Sequence, residues 1–215
     1  MNLPTLASEG KPGVKLAGST IERSAHACAF FHTAEEYYNV LLPFIKDGFE
    51  AGDKAFHVLD ESDHAEHFRQ MENAGIPVAK SCKTGQLEVR RWEEAYLKPG
   101  YFSQDDMLEL LEGVLKENKI KGYPMTRLIA NMEWACKHEI TGVNDIVKYE
   151  TRLNHFLPNY DDVVVCTYDL TKHSASVVMD VLRTHPYVLI GGMLHENPYF
   201  VNPEDLLAEL EARGS

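Results

Sequence analysis

The chain has 215 residues, 44% of them hydrophobic and 25% charged, with a formal net charge of −12. That length supports one large domain with a real core and leaves two full domains cramped. The acidic balance disfavours direct contact with nucleic acid and docking on anionic membranes, because phosphates repel such a field.

Residues 1–22 are rich in Gly, Pro, Ser and Thr, and are expected to form a flexible tail ahead of a single domain over 23–215. The tail has no continuous apolar core, so it is not a signal peptide. Within it, Gly13 to Thr20 nearly matches a G-x-x-x-x-G-K-[ST] phosphate loop, but Ser19 stands at the lysine position. Pro4, Gly10 and Pro12 also interrupt any strand before it, and chance explains the match.

From there short apolar runs alternate with helical spacing. His26 to Phe31 reads as a strand, and Ala34 to Gly48 as a helix with apolar residues at Tyr37, Val40, Leu41, Phe44 and Ile45. Lys54 to Asp60 is a second strand after the Gly52-Asp53 turn, and Asp63 to Ala74 a polar helix closed by Gly75. Gln86 to Arg91 is a short strand. Ser103 caps a helix that runs through Asn118. Arg127 to Trp134 is a strand, Asn144 to Phe156 a helix, and Asp162 to Tyr168 the clearest buried strand. Ser174 to Thr184 is a helix, Tyr187 to Ile190 a strand, and Pro203 to Ala212 a helix with Asn202 as cap. This alternation predicts an α/β fold of three αβα layers with a mostly parallel sheet.

The four cysteines, Cys28, Cys82, Cys136 and Cys166, are widely spread with no C-x-x-C pair. Buried reduced thiols in a cytoplasmic protein fit this better than a disulfide framework. No stretch approaches the ~20 apolar residues that span a bilayer.

An α/β nucleotide-binding protein usually carries a glycine-rich loop between its first strand and helix, so that backbone N–H groups can wrap the phosphates. Here no glycine occurs between His26 and Asp47, and the junction carries His32, Glu35 and Glu36. Carboxylates at a helix start suit the helix dipole and repel phosphate. The chain is therefore read as an α/β scaffold without phosphate chemistry at its usual site, which points toward recognition rather than phosphoryl transfer.

Ligands of parallel sheets gather at the carboxyl ends of the strands. Those ends bring His32, Asp60, Glu61, Arg91, Trp92, Glu133, Trp134, Cys136, Tyr168 and Asp169, followed by the segment from Met193 to Tyr199. This mixture suits a partly apolar small-molecule pocket. Glu133, beside an apolar strand, must be exposed, paired or functional. No G-x-S-x-G elbow is present, and Cys136-Lys-His138 is the only local hint of a thiol nucleophile. Neither His26, Cys28 and His32 nor His64 and His67 supply three or four convergent metal ligands locally. A metal site would have to be assembled from distant residues such as His26, Cys28, Cys166 and His185; no metal or cofactor is expected.

Six pieces occur in order. They are His26-x-Cys28; Pro43, Phe44, Gly48, Gly52 and Asp53; Met132-Glu133-Trp134; Tyr149-Glu150; Cys166-x-Tyr168-Asp169; and His185-Pro186 with Asn197-Pro198-Tyr199. Together they resemble the MEDS domain family, the methanogen/methylotroph sensory domains found also in a dichloromethane-responsive repressor. The resemblance implies a degenerate RecA/KaiC-type fold that has lost its nucleotide loop. It further implies a non-enzymatic sensor of small organic molecules that signals to a kinase or transcription-regulator partner. No kinase segment or helix-turn-helix is evident, so the chain would act as a stand-alone sensor or an excised domain. Self-association is compatible with that role. The expected ligand contacts, at the carboxyl edge of the sheet, are His26, Cys28, His32, Glu133, Trp134, Tyr168 and His185. Two other classes stay open at this point: an atypical nucleotide-binding protein or enzyme of RecA-like ancestry, and a protein-interaction module.

Overall fold

The computed structural model describes residues 13–21, 23–137 and 139–213. Its centre is a seven-stranded sheet built from the runs with almost no exposed side chain. These are β3 (His26–Phe31), β4 (Lys54–Leu59), β6 (Thr126–Asn131) and β7 (Val163–Asp169). Strands covered on both faces read as continuous apolar runs. β5 (Leu87–Arg91), β8 (Tyr187–Ile190) and β9 (Met193–Glu196) extend the sheet, in the order β5-β4-β6-β7-β3-β8-β9. All neighbours pair parallel except β8 with β9.

Helices cover both faces. α1 (Ala34–Ala51), α2 (His64–Asn73) and α3 (Val78–Thr84) bury Leu41, Phe44, Ile45, Met71 and Val78 against Ala29, Phe31, Ile129 and Val165. α4 (Gln104–Ile120), α5 (Ile146–Phe156) and α6 (Ala175–Thr184) pack on the other face with Phe30, Phe56, Leu128, Cys166 and Tyr168. α7 (Pro203–Arg213) lies on α5. The expected α/β, three-layer, mostly parallel architecture is what the chain adopts. No helix among the described residues is long and apolar enough to cross a membrane.

The structure differs from the expected elements at four places, two of them corrections and two of them additions. First, the segment read as part of a tail contains a hairpin, β1 (Val14–Leu16) and β2 (Ser19–Ile21), closed by Ala17 and Gly18 at positive φ. Val14, Leu16 and Ile21 sit in the core beside Phe44 and Ile45. The breaking Pro and Gly residues precede the hairpin and do not interrupt it, and the near-match to a phosphate loop is simply this hairpin. The rest of the tail reading, 1–12 and 22, lies outside the described residues. Second, α3 is an added element: Lys80, Ser81 and Lys83 dilute its apolar spacing, and its buried residues are only Val78 and Ser81. Third, β9 was missed: it is an exposed edge strand, so burial imposes no pattern on it. Fourth, the sixth strand stops at Asn131, not Trp134. The Asn131 carboxamide oxygen accepts from the Glu133 amide at 2.9 Å, a local turn that competes with the ladder.

Candidate functional site

The cleft at the carboxyl ends of β3, β4, β6 and β7 has a volume of ≈ 190 Å³ and lies under α1 and α2. Phe31, Tyr37, Tyr38 and Leu59 supply its apolar wall; Asn131, Glu133, Thr167, Asp169, Lys172, Asp63 and Glu66 supply its polar one. The Lys172 ammonium pairs with Glu133 and lies 3.7 Å from Asp169. The Tyr37 hydroxyl is buried without a hydrogen-bond partner, and burial drives its pKa far up, holding it protonated. Burial, then the neighbouring Glu133 and Asp60, also raises the Asp63 carboxyl above its ordinary range.

The head of α1 borders this cleft. Thr33 caps the helix: its hydroxyl accepts from the Glu36 amide at 3.1 Å, while the Glu36 carboxylate accepts from the His32 amide at 2.9 Å. These two bonds tie up the Glu36 amide of the first turn and the His32 amide just before the cap, which leaves fewer donors for an anion at this helix start. Glu35 and Glu36 occupy the first turn.

Of the seven expected contacts, only Glu133 and Tyr168 line this cleft. His32 is exposed at its rim, with its backbone amide tied to Glu36. Trp134 is fully buried, stacked on Tyr96 at 4.7 Å and packed on Phe102 at 4.8 Å; the turn after Asn131 folds it inward. His26 and Cys28 stand on the amino half of β3, and His185 lies between α6 and β8. These three are therefore not at the carboxyl edge. They belong to a second, wholly buried cluster on the α5 side of the sheet.

That cluster is set by register. Cys28 lies opposite Cys166 on β7, which puts His26, Cys28, Cys166 and Tyr168 on one face. α5 lays Glu150 across them. Glu150 Oε2 is 3.2 Å from His26 Nε2, 3.5 Å from His185 Nε2 and 3.6 Å from Cys166 Sγ. Tyr168 donates its hydroxyl to Glu150 Oε1 at 3.2 Å. Burial and then Glu150 push the Cys166 thiol and the Tyr168 phenol well up. Sequence reasoning noted Glu150 only as part of a Tyr-Glu pair; a carboxylate on the buried face of an amphipathic helix was the available signal.

A second buried histidine pair, His57 and His67, shares a hydrogen bond of 2.8 Å between β4 and α2. Cys136 faces His173 at 3.1 Å rather than a residue near it in sequence, and burial followed by Glu133 raises its pKa. His138 lies outside the described residues.

The fold is that of the KaiC-like, RecA-type α/β class. A crystal structure of a KaiC-like protein from Pyrococcus horikoshii OT3 superposes with a TM-score of 0.57 at 16% identity, covering 83% of this chain and 77% of that one. Within that class, the chain belongs to the MEDS family, the methanogen/methylotroph, DcmR sensory domain, whose profile matches residues 25–186. It is also 24% identical, over 172 residues, to the transcriptional repressor DcmR of Methylorubrum extorquens. That match covers 80% of this chain and 62% of the repressor, so the chain spans about three fifths of the relative's length.

Proposed function

We propose that this sensory domain binds a small organic molecule, neutral or cationic, in the cleft beneath the head of α1. The observation that carries this reading is that Thr33 and Glu36 tie up the Glu36 and His32 amides at the place where a related ATPase would hold phosphate. Two amides are taken there, Glu35 and Glu36 occupy the first turn, and Asp63, Glu66, Glu133 and Asp169 line the cleft. The cleft is smaller than the roughly 300–1,000 Å³ typical of drug-sized sites, which suits a small ligand over a nucleotide. Aromatic faces from Phe31 and Tyr37 would hold its apolar part. The unpartnered Tyr37 hydroxyl and the Glu133–Lys172 pair would orient a polar group.

The domain is read as non-enzymatic. Its half-buried Cys136 thiol has a raised pKa, the opposite of an activated nucleophile. Occupancy of the cleft would be passed to a kinase or transcription-regulator partner. The domain's own net charge of −12 argues against its touching nucleic acid directly.

The test is a thermal-shift and calorimetric titration with a panel of small amines, alcohols and halogenated hydrocarbons, run beside Mg-ATP. One or more of the organic compounds should raise the melting temperature, since binding to the native state stabilises it. Tyr37→Phe and Glu133→Gln should weaken that response. Tight magnesium-dependent ATP binding, or no response to any organic compound, would overturn the reading.

A further inference from the structure

The buried cluster on α5 is a different site from the cleft, and its hydrogen positions do not balance. Asn154 Nδ2 points at the carbonyls of Thr184, at 2.6 Å, and Glu150, at 3.2 Å, which can only accept. Its Oδ1 therefore faces His26 Nδ1, 3.1 Å away, and takes the proton there. His185 Nδ1 lies 3.0 Å from the Val181 carbonyl and 2.8 Å from the Thr184 hydroxyl, which donates its own hydrogen to that carbonyl at 2.8 Å, so both neighbours accept and the proton sits on that nitrogen. Both imidazoles consequently turn a bare Nε2 lone pair inward, toward a carboxylate that only accepts when ionised. His185 Nε2 is fully buried and has no hydrogen-bond partner. Protonating His26 would supply one hydrogen and still leave His185 unmatched. A shared proton would not span the 3.5 Å from His185 Nε2 to Glu150 either.

A cation resolves all of this. We propose that His26 Nε2, His185 Nε2, Cys166 Sγ and Glu150 Oε2 form a four-ligand site for a divalent transition ion of the zinc type. The four donor atoms lie within 4.8 Å of one another. Tetrahedral coordination with bonds of about 2.0–2.3 Å requires ligand–ligand edges of about 3.3–3.7 Å. Four of the six edges are 3.2 Å for His26–Glu150, 3.5 Å for His185–Glu150, 3.6 Å for Cys166–Glu150 and 3.6 Å for Cys166–His26, and the two from His185 to His26 and to Cys166 are no longer than 4.8 Å.

The outer contacts match as well. Metal-bound histidines usually donate their second N–H to a carbonyl or carboxylate, as both do here to Asn154 and Val181. Charge also closes: two neutral imidazoles, one thiolate and one carboxylate cancel the divalent ion, so nothing charged is left in the core. The thiol proton leaves to solvent when the metal binds. Four protein ligands leave no open position, so the ion staples β3, β7, α5 and the α6–β8 connection rather than doing chemistry.

The experiment uses the full chain, unfolded under reducing conditions, stripped of metal and refolded with Co²⁺ or Zn²⁺, because the site is closed to solvent. One equivalent of Co²⁺ should give intense tetrahedral ligand-field bands and a thiolate-to-cobalt charge-transfer band. Zinc should bleach both and raise the melting temperature. Cys166→Ser should remove the charge-transfer band, and Asn154→Leu should weaken binding by about 10–100-fold. His67→Gln, in the other histidine pair, should change neither. If a variant does not refold, the metal content of the purified wild-type chain decides in its place, one equivalent supporting the site and none opposing it. Weak octahedral spectra, or a charge-transfer band that survives Cys166→Ser, would overturn the proposal.

Discussion

At the scale of single residues, part of the family motif is explained by packing rather than by recognition. Gly48 lies on α1 where an added Cβ would sit 2.7 Å from Arg127 Cδ and 2.8 Å from its Nε. Arg127 cannot yield: its guanidinium bonds Asp53 at 2.8 Å and the Phe44 carbonyl at 2.6 Å, and lies over the Phe44 ring. Gly48→Ala gains ~1 kcal/mol of helix propensity and loses more to overpacking. A net destabilisation of about 1–2 kcal/mol should appear as a lower urea midpoint. Asp53→Ala leaves a buried guanidinium unpaired and should cost about 3–5 kcal/mol by the same measurement. Two residues of one motif would thus affect stability without touching either candidate site.

His67 governs a pH response at the same scale. Burial, then His64, lowers its pKa to about 4. An exposed imidazole titrates near ~6.5, so between those values the unfolded chain binds more protons than the native one. Stability is therefore complete above about pH 6.5 and is lost as the pH falls toward 4, by an amount on the order of 3 kcal/mol. Denaturant titrations at pH 7 and 4.5 should show that loss, and His67→Gln should shrink it.

At the scale of elements, the hairpin of β1 and β2 and the head of α1 carry the clearest expectations. Leu16 is 1% exposed, so Leu16→Ala should cost about 2–5 kcal/mol; a residue in a free tail would cost nothing. Thr33→Ala removes the cap on α1 and should cost ~1 kcal/mol, read from thermal or urea unfolding. β7 links the two candidate sites. Its Tyr168 lines the cleft and donates to Glu150, while Cys166, two residues earlier, is part of the buried cluster.

At the scale of the whole molecule, the sheet holds the two sites apart. The cleft opens at the strands' carboxyl ends, while the buried cluster sits nearer their amino ends, between the sheet and α5. The cysteines are all free, and Cys28 and Cys166 are buried. Reductant should leave the thermal midpoint unchanged in a melting experiment, since no disulfide restrains the unfolded chain. The alternating pattern identified the αβα layers because strands buried on both faces must be apolar runs, and amphipathic helices must show one apolar stripe. It misjudged Trp134, because an aromatic side chain at a strand end can turn either outward or into the core. It missed Glu150 as the hub, because a helix pattern does not say which strand it will lie across.

The sequence by itself determined the class of fold and the loss of a phosphate loop. Both are local matters: hydrophobic period for the first, and the absence of glycine beside Glu35 and Glu36 for the second. Only the tertiary structure decided which side chains meet. His26, Glu150, Cys166 and His185 are far apart in the chain, and strand register and helix docking bring their donor atoms together. Those long-range pairings are fixed by the packing of the core as a whole, and no local spacing encodes them.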